Sequence, residues 1–169
     1  MSKSIINYKP EIDSLRAVAV SLVILFHYEL FNVKGGFIGV DVFFVISGYL
    51  ITNLIIKDVD ENKFSLLKFY LRRVRRIIPA LYSTILTVVV LGYFILSPEH
   101  FDRISKSGVS AAAAYSNFFF WSEAGYFDHH KYFKPLLHTW SLSVELQFYI
   151  FWPIIIFIIY NFFKKITLP

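Results

Sequence analysis

The sequence predicts an all-α protein, a polytopic transmembrane bundle of about four spanning helices with one short re-entrant or interfacial helix. Hydrophobic residues make up 56% of the 169-residue chain and charged residues only 17%, whereas a soluble domain of this size needs a charged exterior. The apolar residues also form long blocks, and a helix needs about 20 of them to cross the ~30 Å hydrocarbon core of a bilayer. Both observations indicate an integral membrane protein.

Four blocks account for the predicted spans. Residues 37–56, 77–97 and 139–163 each contain at most one charged residue. The first block, 17–33, has only 17 residues and includes His27 and Glu29, yet it still falls in the spanning range. The chain has no cysteine, which excludes disulfides and thiolate chemistry.

The basic residues predict the orientation of the chain. Because cytoplasmic loops are enriched in Lys and Arg, residues 57–76 and the N-terminus are expected in the cytoplasm and residues 98–138 outside. Placement of the charge beside a span also argues against a nucleic-acid partner, despite the net charge of +5. Seven of the 17 basic residues share this segment: Lys57, Lys63, Lys68, Arg72, Arg73, Arg75 and Arg76.

Residues 108–121 are uncharged but number only 14, which favours the re-entrant or interfacial helix over a fifth span. If they did cross the membrane, Lys164 and Lys165 would lie outside, against the positive-inside rule.

Arg16 and His27 form the first candidate site. The 11 residues that separate their positions are close to three helical turns, so both side chains lie on nearly one face, ~16 Å apart. Arg16 either serves the site or extends to the headgroups and pairs with Asp13. His27 is either a general base and proton carrier or a neutral residue bonded to a neighbouring helix. Asp41 either orients His27 or lies among headgroups.

An arginine cluster at 72–76 forms the second site. Lysine would serve equally well as a topology signal or an anionic-lipid contact, but arginine binds phosphate through two parallel hydrogen bonds. Arg73 and Arg76, three residues apart, would share a helix face and suit a phosphorylated donor.

A polar stripe forms the third site. His138, Ser141 and Glu145 fall at i, i+3 and i+7, which is one face of the last predicted helix. The alternative is that Thr139 or Ser141 caps the helix and Glu145 stays near the interface. A His/Ser/Glu set resembles part of a nucleophilic triad, but triads are defined by three-dimensional geometry.

Together these stretches resemble the acyltransferase 3 family of bacterial membrane O-acyltransferases. The motifs that carry the resemblance are "EIDSLRA" with the Arg16–His27 pair, "GGFIGVDVFFVISGYLIT", "FYLRRVRRIIPALY" and "PLLHTWSLSVELQFY", in this order. The resemblance implies transfer of an acyl group, commonly acetyl, from cytoplasmic acyl-CoA (acetyl-CoA) to a hydroxyl of an extracytoplasmic carbohydrate such as O-antigen, peptidoglycan or exopolysaccharide. It also implies the bacterial inner membrane, with acyl-CoA as co-substrate and no tightly bound cofactor or metal.

The resemblance assigns roles to residues. We expect Arg16, His27 and Glu145 to act in catalysis and Arg73 and Arg76 to bind the donor. A second, supporting group would assist them: Asp41, His138 and Ser141.

Two departures from the family pattern bear on these expectations. Leu146 stands where the family usually has a second acid, and members usually have about ten spanning helices. We therefore expect residues 1–169 to be the N-terminal portion of the membrane domain, with the remainder possible as a separate partner chain. Two other functions stay open: a proton-coupled transporter subunit that uses His27 and Glu145, and a membrane subunit without chemistry.

Overall fold

The computed structural model describes residues 9–123 and 134–167, and this part of the chain is helical without any strand. The prediction of an all-α membrane protein is confirmed. Two compact units divide the chain, Met1–Lys57 and Asp58–Pro169. In chain order the helices are α1 Pro10–His27, α2 Ile38–Asp60, α3 Leu66–Ile95, α4 Pro98–Ala112, α5 Ser116–Glu123 and α6 Thr139–Thr167, with a 3-10 turn at Leu30–Asn32.

Three helices in the described part are long and apolar enough to cross a membrane. These are α2, α3 and the Thr139–Tyr160 part of α6, with 23, 30 and 22 residues. Helix α1 has 18 residues, but Glu11, Asp13 and Arg16 lie in its first two turns. It ends at His27, so the block 17–33 is not one helix as predicted. A fourth span stays a prediction.

In the first unit, two glycines allow α1 and the start of α2 to approach closely. A Cβ atom on Gly39 would lie 2.4 Å from the carbonyl oxygen of Ala19, and one on Gly36 would lie 2.2 Å from that of Leu22. Both distances are far below van der Waals contact, so only glycine fits at this crossing. A Cβ atom on Gly48, within α2, would meet no described atom within 4 Å.

In the second unit, α3 begins well before the predicted span. The side chain of Ser65 accepts a hydrogen bond from the Lys68 amide at 3.4 Å and so caps the helix. Pro79 consequently lies inside the 30-residue helix and not in its first turn. The arginine cluster belongs to the helix, since strong helix formers such as Leu, Lys and Arg fill its first turns. Only residues 61–65 connect α2 to α3.

The predicted re-entrant helix at 108–121 is also corrected. These residues form the end of α4, a turn, and most of α5. Ala114 in the turn adopts a left-handed conformation with φ of 53°, which ends the helix. Helix α4 packs on α3 where Gly108 approaches Ile85, and α5 packs on α6.

Candidate functional site

Arg16 and His27 share one continuous helix, as predicted. Arg16 lies in the second turn of α1 and its guanidinium is 3.5 Å from the carboxylate of Asp13. About one third of the Arg16 side chain and half of the Asp13 side chain are exposed. Exposed ion pairs of this kind contribute little to stability, so the pair leaves the guanidinium available to a ligand.

His27 is the last residue of α1 and its side chain is exposed. Its Nδ1 atom lies 2.8 Å from the carbonyl oxygen of Val23, one turn earlier, and its ring packs edge-on against Phe26. Because a carbonyl can only accept, Nδ1 carries the proton in the neutral ring and Nε2 carries the lone pair. A general base needs such a nitrogen, so the geometry fits the predicted role for His27.

Asp41 lies in the first turn of α2, where the helix dipole favours a negative charge, and it is exposed. The Val23 carbonyl bonds the Nδ1 atom of His27, and a role for Asp41 in orienting that ring stays a prediction.

In the second unit, the arginine cluster divides into exposed and half-buried members. Arg73 is half-buried, and its guanidinium carbon lies 5.5 Å from the ring centroid of Phe69 and 5.1 Å from that of Tyr149. Arg72 is exposed and 3.5 Å from Asp58. Arg75 and Arg76 are exposed. The two arginines predicted to bind the donor therefore lie in different environments.

The predicted stripe on the last helix is only partly helical. Helix α6 begins at Thr139, so His138 lies in the preceding turn and is exposed. The Ser141 hydroxyl donates to the His138 carbonyl at 3.1 Å. Glu145 is half-buried and accepts a short hydrogen bond from the hydroxyl of Tyr149, one turn later.

Sequence reasoning missed a polar network between α5 and α6. The Ser116 hydroxyl lies 2.7 Å from that of Ser143 and accepts from Thr139 at 3.0 Å. The Gln147 amide nitrogen donates to the Ala114 carbonyl at 2.8 Å and to the side chain of Asn117 at 2.9 Å. Four-residue spacing of polar side chains in an apolar helix was the available signal, at Thr139, Ser143 and Gln147.

Comparison with known proteins places these residues in a family. The family profile described as "Acyltransferase domain" matches residues 9–168. The chain belongs to the acyltransferase 3 family. It is 42% identical over 161 residues to Peptidoglycan O-acetyltransferase OatA of Listeria monocytogenes, covering 94% of this chain and 26% of that protein. It is 40% identical over 160 residues to O-acetyltransferase OatA of Staphylococcus aureus strain NCTC 8325, with the same coverage.

The chain thus spans about a quarter of the length of these acyltransferase 3 relatives. No solved structure matches it. The candidate residues of the family motifs fall in both units. Arg16, His27 and Asp41 belong to the first, and the second contains the other five: Arg73, Arg76, His138, Ser141 and Glu145.

Proposed function

We propose that this chain takes part in transferring an acetyl group from acetyl-CoA on the cytoplasmic side of a bacterial membrane to a hydroxyl of peptidoglycan. The relatives named as O-acetyltransferases support the reaction, and the Listeria protein's name supports the acceptor. The observation that carries the proposal is the half-buried Arg73 beside the Tyr149–Glu145 pair, because it places an anion-binding group and an acid in one part of the second unit.

Donor binding falls to the arginines. Coenzyme A carries three phosphate groups, and guanidinium groups bind phosphate through two parallel, charge-assisted hydrogen bonds. Arg73 is already ordered against two rings, whereas the exposed Arg76 can adapt to a second phosphate. In the predicted orientation Arg16 also lies on the cytoplasmic side of the membrane, where acetyl-CoA is found.

Proton transfer falls to His27. A carbohydrate hydroxyl is a poor nucleophile at neutral pH, so its proton must be removed as it attacks the thioester carbon. In the proposed step Nε2 of His27 takes that proton, a C–O ester bond forms, the C–S bond breaks, and the proton passes to the departing thiolate of coenzyme A. The hydrogen bond from Nδ1 to the Val23 carbonyl supports this assignment, since it leaves the lone pair on Nε2.

A lipid bilayer surrounds the site in this proposal. The exposed side chains of α3 toward its C-terminal end are large and apolar, as lipid contact requires: Leu86, Val90, Leu91, Phe94 and Ile95.

Acetyl-CoA binding by the chain in lipid nanodiscs tests the donor assignment. Equilibrium dialysis with radiolabelled acetyl-CoA would compare Arg73→Lys with Arg75→Lys, an exposed neighbour in the same cluster. Lysine keeps the charge but cannot form the two parallel hydrogen bonds of a guanidinium to phosphate. We therefore expect Arg73→Lys to weaken acetyl-CoA binding roughly 10-fold or more and Arg75→Lys to have little effect. Acetyl-pantetheine, which lacks the nucleotide phosphates, should compete poorly. Equal affinity in both variants would leave the cluster as a topology signal.

The substitution His27→Gln tests whether His27 is the general base. It would be introduced into the chromosomal gene of the bacterium that encodes the chain. Glutamine keeps much of the shape but cannot accept a proton, so we expect acetylated muropeptides measured by mass spectrometry to fall roughly 10²-fold. Acetyl-CoA binding should persist, and a blot should show normal membrane insertion. Near-normal acetylation would reduce His27 to a structural residue.

A further inference from the structure

The guanidinium of Arg73 lies against two buried aromatic rings. Phe69, on the same face of α3, is 1% exposed, and Tyr149, on α6, is 6% exposed. Their centroids lie 5.5 and 5.1 Å from the guanidinium carbon. A cation over an aromatic face within about 6 Å is attracted by the ring quadrupole, and the attraction grows as water is removed. The rings therefore hold Arg73 in a defined place.

The hydroxyl group of Tyr149 makes a second contact. It donates to the carboxylate of Glu145, one helical turn earlier on α6. One rigid side chain thus touches both the cation proposed to bind the donor and the carboxylate expected to act in catalysis. A tyrosine has only two side-chain torsions, so a shift of its ring moves its hydroxyl as well.

The register of α3 against α6 is fixed beside these contacts. The Tyr70 hydroxyl donates to the carbonyl of Ile150 at 2.8 Å. Tyr70 and Ile150 are the sequence neighbours of Phe69 and Tyr149, so the bond aligns the two helices at the level of Arg73. The position of the rings is consequently set by the helix pair as well as by their own packing.

We propose that Tyr149 is a positioning residue that sets Arg73 for the donor phosphate through its ring and Glu145 through its hydroxyl. This inference rests on the proposed function. Ordering a long side chain on binding costs conformational entropy, and an arginine that is already held avoids part of that cost. Arg75 and Arg76, which are exposed, do not share this advantage.

Two substitutions separate the two ends of Tyr149. Tyr149→Phe keeps the ring and loses the hydroxyl, so we expect acetyl-CoA affinity within about twofold of wild type and a lower rate of acetyl transfer. Tyr149→Leu removes the ring too, and affinity should fall roughly 3- to 30-fold. Tyr70→Phe is the matched control, since it loses a hydrogen bond at the same helix interface without touching Arg73. A similar loss of affinity in Tyr70→Phe would assign the effect to helix packing and overturn the proposal.

A double-variant cycle tests whether Tyr149 acts through Arg73. In an Arg73→Ala background, Tyr149→Leu should cause no further loss of acetyl-CoA affinity, because the group it positions is gone. An undiminished effect in that background would overturn the proposal.

Chemical labelling separates this inference from the proposed function. Phenylglyoxal modifies accessible arginines, and mass spectrometry reports each site. Arg73 should react more slowly than Arg75 in wild type and Tyr149→Phe, and at a rate close to that of Arg75 in Tyr149→Leu. If the wild-type chain binds no acetyl-CoA, the proposed function fails, while the labelling still decides whether Tyr149 holds Arg73. Unchanged labelling in Tyr149→Leu would show that it does not.

Discussion

Helix α6 carries two polar stripes that differ in charge and in partners. The neutral stripe contains Thr139, Ser143 and Gln147, and the charged stripe contains Glu145 and Tyr149. The offset of two residues between Ser143 and Glu145 corresponds to about 200° around the helix, so the stripes lie on nearly opposite faces. The neutral stripe meets α5, whereas the charged stripe meets Arg73 of α3.

The difference between the stripes shows how one helix can use one face for packing against a neighbouring helix and another face for ionisable groups. Hydroxyl and amide groups in the neutral stripe satisfy one another inside a helix contact, and Ser116 and Ser143 are 0% and 1% exposed. Such a network holds helices together within lipid, where the hydrophobic effect does not drive their association. The charged stripe instead contains ionisable groups, which are costly at membrane depth and are usually functional. We therefore assign stability to the neutral stripe, and the charged stripe contains the residues proposed above for catalysis and for positioning Arg73.

Gln147→Glu would break the comparison most strongly, because it places a charge in the neutral stripe. The new oxygen would face the Ala114 carbonyl, which now accepts from the glutamine nitrogen at 2.8 Å. We expect the free energy of unfolding, measured by SDS titration in mixed micelles, to fall by about 3 kcal/mol. Affinity for acetyl-CoA in the folded fraction should stay near wild type. A variant as stable as wild type would show that this network does not hold α5 to α6.

Glu145→Gln is the reciprocal change and makes the two stripes chemically alike. The amide oxygen can still accept from the Tyr149 hydroxyl, so the free energy of unfolding should change by less than about 1 kcal/mol. Loss of the carboxylate should lower acetylation of muropeptides in the encoding organism roughly 10²-fold. Full acetylation in this variant would remove Glu145 from the catalytic group.

Two serines on α6 should differ by the smallest amount in their effect on stability. Ser143 bonds Ser116 inside the helix contact. The half-exposed Ser141 bonds the His138 carbonyl in its own turn. Ser143→Ala leaves a buried hydroxyl without this partner and should cost about 1–2 kcal/mol in the free energy of unfolding. Ser141→Ala should cost less than about 0.5 kcal/mol. Equal costs would mean that burial in the helix contact gives Ser143 no more weight in stability than Ser141.

Much of the architecture follows from local patterns in the sequence. Long apolar blocks predicted the spans that became α2, α3 and α6, because helices are the form in which a single segment satisfies its backbone within lipid. The regular spacing of Arg16 and His27 predicted their common helix. Local capping was harder to predict, and with the cap at Ser65 helix α3 begins at Leu66, before the predicted span that starts at residue 77.

The partners of the candidate residues depended on tertiary structure. Sequence spacing grouped Arg73 with Arg76 and Glu145 with His138, since it considers neighbours on one helix. The folded chain pairs Arg73 with Tyr149, 76 positions away in the sequence, and leaves Arg76 exposed.

The physical reason is that periodicity and composition act over one helical turn, whereas a contact between helices depends on their register and rotation. Hydropathy therefore identified the membrane class of this chain, and the resemblance of its motifs indicated the family. Which polar groups of α6 would be neutralised by α5, and which would face the arginine of α3, was decided by how those helices pack.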